Sequence, residues 1–503
     1  MGHHLPGMIR AYGDRALFSR FRTRFLVAPL LLLAVSVWSS FYDIQAIQLV
    51  AFAWGIWHGM MQTYGFGRIY DGKASASAAS RARADFALCL TWFVAAVLLS
   101  PMRFRTFVEL YYQCGGPVIP VGFVSVFRGV IICAVATVTS LFAWQQWRDW
   151  RSRGWASPIK ITLLVSSIAF WWYCNNGVQN ILVGIALFEV FHDVQYLAIV
   201  WVYNRSRVER DQNIRGFMRF VFRRSGSLIG VYVGLVLAYG SIGFMTSNAS
   251  SSNWIRHALL GLVTASALLH FYYDGFIWKV RETQTRSMLG IDGTGSSSAS
   301  RSRAWPLWFV HGLRWAALII PFGALCAAQL AGHVLTPLQL AGRIVEVLPN
   351  DAQSQLKYGE ALHEQGRVEE AMSHYESAIR QNPRMAEPEF FLGLAYKDLR
   401  DYDHAIEHYE KSLSLAPKNG KYEFNLASAL IASGRRAEGR RRLEHSLSSD
   451  PSLFLAHQVL ADMLYADADY KGALAHYREA LRLRPDFQPA ARGVEAAGRF
   501  AGH

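Results

Sequence analysis

The stretch AEPEFFLGLAYKDLRDYDHAIEHYEKSLSLAP, residues 386–417, is one copy of a unit that recurs along the second half of the chain. Prolines stand at 349, 383, 417, 451 and 485, a strict interval of 34. Gly393, Tyr396, Ala405, Tyr409 and Pro417 answer to Gly359, Ala371, Tyr375, Ala378 and Pro383 before them, and to Ala473, Tyr477, Ala480 and Pro485 after them. The third copy departs most: Ala427 stands at the glycine position, Gly439 at the first alanine, Leu443 at the tyrosine and Ser446 at the second alanine, with Pro451 kept. Small residues at fixed places let two antiparallel helices approach closely, the aromatic fills the gap between successive hairpins, and the proline closes the unit. A fixed period of this length is the mark of stacked helical repeats.

These residues resemble the tetratricopeptide-repeat family over about 352–500, in four repeats and a capping helix near 486–500. Pro349 stands one period ahead of the first full repeat, so 337–349 reads as a half-repeat helix joining the array to what precedes it. That helix predicts an array docked on its neighbour and not tethered flexibly. The resemblance implies a concave surface for a protein or peptide partner, with a simple spacer as the alternative.

Working back from the repeats, the 503-residue chain changes character near residue 332. It is 52% hydrophobic overall, and the apolar excess lies in the first part, where long apolar runs alternate with short basic segments. Crossing a bilayer as a helix takes about 20 apolar residues. Nine runs qualify: 24–42, 46–66, 84–102, 120–145, 158–175, 179–203, 226–246, 254–279 and 307–332. The expected fold is all-α, a polytopic helical bundle over 1–332, a connecting helix over 333–351 and the repeat domain over 352–503. The first run precedes eight others and lacks a small-residue cleavage site, so it is expected to be retained.

The formal net charge is +14, and its placement matters more than its size. Arg10 to Arg24 precede the first run, and Arg68 to Arg83, Arg148 to Lys160, Arg205 to Arg224 and Lys279 to Arg303 follow the even-numbered ones. The positive-inside rule then places the N-terminus in the cytoplasm, and an odd number of spans of the inner membrane puts the repeats outside it. Topology accounts for the basic charge, so nucleic acid is not an expected partner. Of five cysteines, Cys114 and Cys174 fall in predicted outer loops, as a bridge or as two free thiols. No CxxC spacing suggests a structural zinc site.

Six polar residues interrupt the apolar runs: His58, the cluster Glu189, His192 and Asp193, and the pair His270 and Asp274. Each ionisable group inside a bilayer costs at least roughly 2.5–3.5 kcal/mol. Glu189, His192, Asp193 and Tyr196 lie at i, i+3, i+4 and i+7, on one face of a helix, and His270 and Asp274 at i, i+4. The first cation after each histidine is Arg68, Arg205 or Lys279, which puts the three imidazoles at depths agreeing within roughly 6 Å. Structural hydrogen bonds or ion pairs and a proton path are alternatives. A metal site explains all six at once, with His58, His192, His270 and Asp274 as ligands and Glu189, Asp193 and Tyr196 as groups for proton transfer or shell completion. Iron or zinc suits that donor set. The aromatics around the histidines, among them Trp57, Phe191 and Tyr272, read as an interfacial belt, and His311 as an interfacial residue or, alternatively, a fourth ligand.

Glu189-Val190-Phe191-His192 is similar to the Glu-x-x-His element of di-iron carboxylate bundles, although only one such element is present. Intramembrane His and Asp also resemble the alkaline ceramidase class, whose paired-histidine helix is lacking because position 274 is Asp. The expected function is a metal-dependent membrane enzyme, an oxidoreductase or else a hydrolase, acting on a lipid or apolar substrate. A second reading is a glycosyltransferase resembling polytopic enzymes that use lipid-linked sugars and carry outward-facing repeats. Its acidic group would be Asp43 in a short first outer loop. A third is a non-catalytic scaffold. Walker A, GxSxG and HExxH patterns are absent from the sequence.

Overall fold

A computed structural model describes residues 4–73, 79–153, 157–210, 217–222, 230, 233–234, 253–277, 307–332 and 335–501. All regular structure among them is helical, and the chain divides into two compact units, Met1–Leu335 and Thr336–His503.

The first unit contains α1 (His4–Gly13), α2 (Arg15–Arg20), α3 (Arg22–Phe41), α4 (Ala46–Lys73), α5 (Ala79–Leu98), α6 (Pro101–Gln113), α7 (Phe123–Arg153), α8 (Pro158–Asn176), α9 (Ile181–Arg210), α10 (Phe217–Phe222), α11 (Asn253–Ile277) and α12 (Leu307–Leu330). Its largest core lies among α4, α5, α8 and α9, where Met60, Cys89, Phe93, Leu164, Trp171 and Phe188 are buried together. Phe93 and Trp171 stack with centroids 5.0 Å apart. Helix α11 runs against α3 so closely that a Cβ on Gly261 would lie 2.5 Å from the Val37 Cα. That contact explains the glycine at this point of the helix.

Among the described residues, four helices are long and apolar enough to cross a membrane: Arg22–Phe41, Phe123–Ser152, Val183–Arg210 and Trp254–Gly275. Nine were expected, and the differences have local causes. The run 84–102 is not one straight helix, because the chain bends by 81° between α5 and α6. Pro101 disfavours helical geometry in the residue before it, and the Ser100 hydroxyl caps α6 by accepting from the Arg103 amide. The runs 46–66 and 158–175 do form helices, α4 and α8, but His58, Gln62, Lys160, Ser166 and Asn175 dilute their apolar character. The run 307–332 forms the single helix α12, Leu307–Leu330, and several of its side chains lie outside the described residues. Most of 226–246 lies outside the described residues. Cys114 and Cys174 are free thiols in separate clusters, Cys114 with Cys326, Ile44 and Leu49, and Cys174 in the core around Phe93. The bridge considered for them does not form.

The second unit begins with α13 (Pro337–Val347), whose N-terminus is closed by a capping box between Thr336 and Gln339. Four hairpins follow: α14 (Ala352–Glu364) with α15 (Val368–Gln381), α16 (Ala386–Asp398) with α17 (Tyr402–Leu415), α18 (Gly420–Ala432) with α19 (Arg436–Ser449), and α20 (Phe454–Ala466) with α21 (Tyr470–Leu483). Helix α22 (Gln488–Phe500) ends the stack. A Cβ on Gly359 would lie 2.5 Å from the Tyr375 ring and 3.2 Å from the Ala371 carbonyl oxygen, and Gly393 stands in the same relation to Tyr409 and Ala405. In the third hairpin the glycine has moved across the contact. There a Cβ on Gly439 would meet the Ala427 carbonyl oxygen at 3.0 Å. The departing copy therefore keeps the close helix crossing, with the small residue on the opposite helix.

Candidate metal centre

Three helices of the first unit converge on one buried point. Helix α4 supplies His58, α9 supplies His192 and Tyr196, and α11 supplies His270 and Asp274. One ring nitrogen from each of His58, His192 and His270 lies within 4.8 Å of the other two. The histidines are 9%, 5% and 2% exposed. Ligands about 2.0–2.1 Å from a tetrahedral ion sit roughly 3.4 Å apart, so shifts of about an ångström at the ring would bring all three nitrogens onto one ion.

Asp274 completes the cluster from the same helix as His270. Its Oδ2 lies 3.7 Å from His270 Nε2 and 3.9 Å from His58 Nε2. The Tyr196 hydroxyl donates to the other carboxylate oxygen at 3.0 Å, tying α9 to α11 beside the imidazoles. Gln62, one turn after His58, donates its amide to the His192 carbonyl at 3.1 Å. Phe271 and Phe188 wall the site, with centroids 4.7 Å from His58 and 5.9 Å from His192. Donors of this type, in an aromatic surrounding, fit iron or zinc.

The residues singled out on α9 divide. His192 and Tyr196 turn into the cluster, whereas Glu189 and Asp193 are half-buried on α9 and do not join the converging nitrogens. The His311 side chain lies outside the described residues. Asp43, in the connection between α3 and α4, adopts φ +52° in a cleft of about 410 Å³ lined by Gln45, Gln113 and Gln329. Its carboxylate accepts from Gln45 at 2.9 Å and its carbonyl from Gln329 at 2.8 Å.

Two groups of functional interest have no signature in the sequence. His4 on α1 stacks on His270, with centroids 4.6 Å apart and an interplanar angle of 20°. It lies in a polar N-terminal segment before the first apolar run, so periodicity carries no sign of it. The other is a buried ionic quartet on α4, α5 and α8. Lys160 Nζ reaches Asp71 at 3.0 Å and Asp85 at 2.7 Å, and Arg68 reaches the same carboxylates at 2.7 and 2.9 Å. Basic residues at the ends of apolar runs read in the sequence only as topology markers.

In the second unit, tetratricopeptide-repeat profiles match residues 338–386, 386–419 and 424–486. The C-terminal region is thus a tetratricopeptide-repeat array, a module for protein–protein interaction. It is similar to MamA from Desulfovibrio magneticus RS-1, at 20% identity over 29% of this chain and 84% of that one, with a TM-score of 0.27. It is also similar to TTC0263, a tetratricopeptide-repeat protein of Thermus thermophilus, at 18% identity over 37% of this chain and 97% of that one, with a TM-score of 0.29. YrrB, described as a TPR protein with an unusual peptide-binding site, matches at 17% identity over 37% and 97%, with a TM-score of 0.28. No curated protein matches the chain.

Proposed function

We propose that the first unit is a polytopic, metal-dependent membrane enzyme acting on a lipid or other apolar substrate, with oxidation as the reaction class. His58, His192 and His270 would hold an iron or zinc ion, and Asp274 would complete its shell. The observation that carries this reading is the convergence of three buried ring nitrogens from three separate helices within 4.8 Å. Burying three imidazoles and a carboxylate in apolar surroundings is costly unless they are hydrogen-bonded, paired or bound to a metal, and one shared ion would serve all four. A bound metal supplies Lewis acidity and, if it is iron, electron transfer. Tyr196 would hold the Asp274 carboxylate in place, and Phe188 and Phe271 would keep bulk water out.

A bilayer setting is supported by the surface of α7, where Val126, Val130, Leu141 and Trp144 are each more than half exposed. So large an apolar surface is unusual for a soluble face. In this reading about nine spans cross the inner membrane, the N-terminus is cytoplasmic, and the repeats bind a protein or peptide partner outside. The deciding experiment is metal analysis of purified protein beside His192→Ala. Stoichiometric iron or zinc lost in the variant supports the reading, and equal metal content in both proteins removes it.

Asp43 gives a second reading some footing, as a lipid-linked-sugar glycosyltransferase. A non-glycine residue with positive φ in a polar cleft is a strained arrangement of the kind found at functional sites. Asp43→Asn would abolish sugar transfer in that reading and leave metal content unchanged.

A further inference from the structure

The N-terminal helix lies on the histidine cluster, not beside it. His4 is 4% exposed and its ring lies nearly parallel to that of His270. Its Nδ1 pairs with the Ser266 hydroxyl at 2.9 Å. Ser266 is one turn before His270 on α11, so the two contacts hold the His4 ring at two points of one helix face. One turn further along α1, a Cβ on Gly7 would stand 3.2 Å from the Tyr196 hydroxyl, 3.7 Å from Asp274 Oδ1 and 3.9 Å from His270 Nδ1. The backbone of α1 therefore lies directly against the Tyr196–Asp274 hydrogen bond, and a methyl group at position 7 would press on the Tyr196 hydroxyl.

The rest of α1 is anchored to α9. The Arg10 guanidinium donates to the Tyr203 hydroxyl at 3.0 Å and lies 4.1 Å from the centre of that ring. Just past the helix end, Asp14 pairs with Arg207 at 2.6 Å. Tyr203 and Arg207 follow Tyr196 by about two and three turns. Helix α1 thus bridges the two helices that supply His192, Tyr196, His270 and Asp274, and it does so with buried polar contacts at both ends.

We infer that α1 is part of the metal site: His4 is a positioning residue that fixes the His270 ring by face-to-face stacking, and Gly7 lets the helix backbone close over Asp274. This rests on the metal-site reading above. A ligand imidazole rotates freely about two side-chain bonds unless something holds its plane, and groups around the ligands commonly set metal affinity in this way. His270 has its plane held by His4 on one side, with the edge of Tyr196 at a centroid distance of 5.4 Å.

Cobalt(II) binding to the purified full chain, followed by its visible d–d absorption, tests both levels separately. If wild-type protein binds no cobalt, the metal-site reading fails and this inference goes with it. If wild type binds and His192→Ala does not, the site stands and α1 is on trial. His4→Ala is then expected to weaken cobalt binding roughly 10- to 100-fold and to change the shape of the d–d bands. His4→Phe keeps a flat ring against His270 and is expected to recover most of the affinity. Gly7→Ala, a milder change that leaves the anchors of α1 in place, is expected to shift the bands by pressing on Tyr196 and Asp274. Wild-type affinity and spectra in both His4→Ala and Gly7→Ala would overturn the inference and leave α1 as packing alone.

Discussion

His457 and His476 face each other across the fourth hairpin, Nδ1 to Nδ1, at 2.9 Å. His457 Nε2 also lies 3.2 Å from the Pro451 carbonyl oxygen, which can only accept. His457 therefore carries its proton on Nε2 and accepts on Nδ1, and His476 donates. The pair repeats a pattern of period 34 in which the same two places join the helices of each hairpin: Gln355 with His374 at 2.6 Å, Glu389 with His408 at 2.7 Å, and Glu423 with Arg442 at 3.5 Å.

The repeats should lose stability in mild acid. Burial lowers the pKa of His374, and burial together with the neighbouring His457 lowers that of His476, against the opposing pull of Glu444, Asp469 and Glu479. A lowered folded-state pKa means the unfolded chain takes up protons first. The contribution is complete above the ordinary histidine value of about 6.5 and is lost as pH falls from there through the lowered values. Urea midpoints of the repeat unit measured from pH 7.5 to 5 should fall. Replacing both His374 and His476 with Gln should flatten that slope, and an unchanged slope would contradict the assignment.

The turn inside each hairpin places one residue in the left-handed region, at Gly366, Arg400, Gly434 and Ala468. An L side chain there costs roughly 1–2 kcal/mol, offset in part by the flexibility glycine adds to the unfolded chain. Ala468→Gly and Arg400→Gly should each stabilise the array by about 0.5–1 kcal/mol, read from denaturant midpoints at unchanged slope. Destabilisation would show that the turn is held by contacts and not by backbone preference.

Gly439→Ala would place a methyl group 2.6 Å from the Ile431 side chain and 3.0 Å from the Ala427 carbonyl oxygen. Overpacking of this kind costs about 1–3 kcal/mol. Adding Ala427→Gly should return part of that loss by moving the small residue back to the helix that bears it in the first two repeats. The sign of the coupling in the double-mutant cycle decides the point.

Lys160→Met removes one of two cations from a quartet in which Asp71 and Asp85 are almost wholly buried, at 0% and 1% exposure. Breaking a buried pair on one side costs about 3–5 kcal/mol because the charge left behind is uncompensated. The thermal unfolding midpoint in detergent should drop sharply, and a variant replacing Lys160 and Asp85 together by Met and Leu should recover much of it. If Lys160→Met alone is neutral, the quartet is hydrated and contributes little.

Tyr196→Phe deletes the hydroxyl that holds Asp274 and keeps the ring against His270. Metal affinity should fall roughly 10-fold or more with the melting temperature little changed. Equal losses of both would assign Tyr196 to packing.

The sequence by itself determined the repeat array, its starting half-repeat and its closing helix, because a period of 34 built from glycine, alanine, tyrosine and proline is a local pattern that survives without knowledge of the fold. It also showed His58, His192 and His270 each followed by a cation after a similar number of residues, a spacing that residue count alone reveals. Tertiary structure decided the rest. Which way each helix is rotated depends on partners far away in the chain, and that rotation brought Asp274 and Tyr196 to the imidazoles while leaving Glu189 and Asp193 outside the converging set. The stacking of His4 on the distant His270 has the same origin. Both are set by how two helix surfaces pack, and no short window of sequence holds both surfaces.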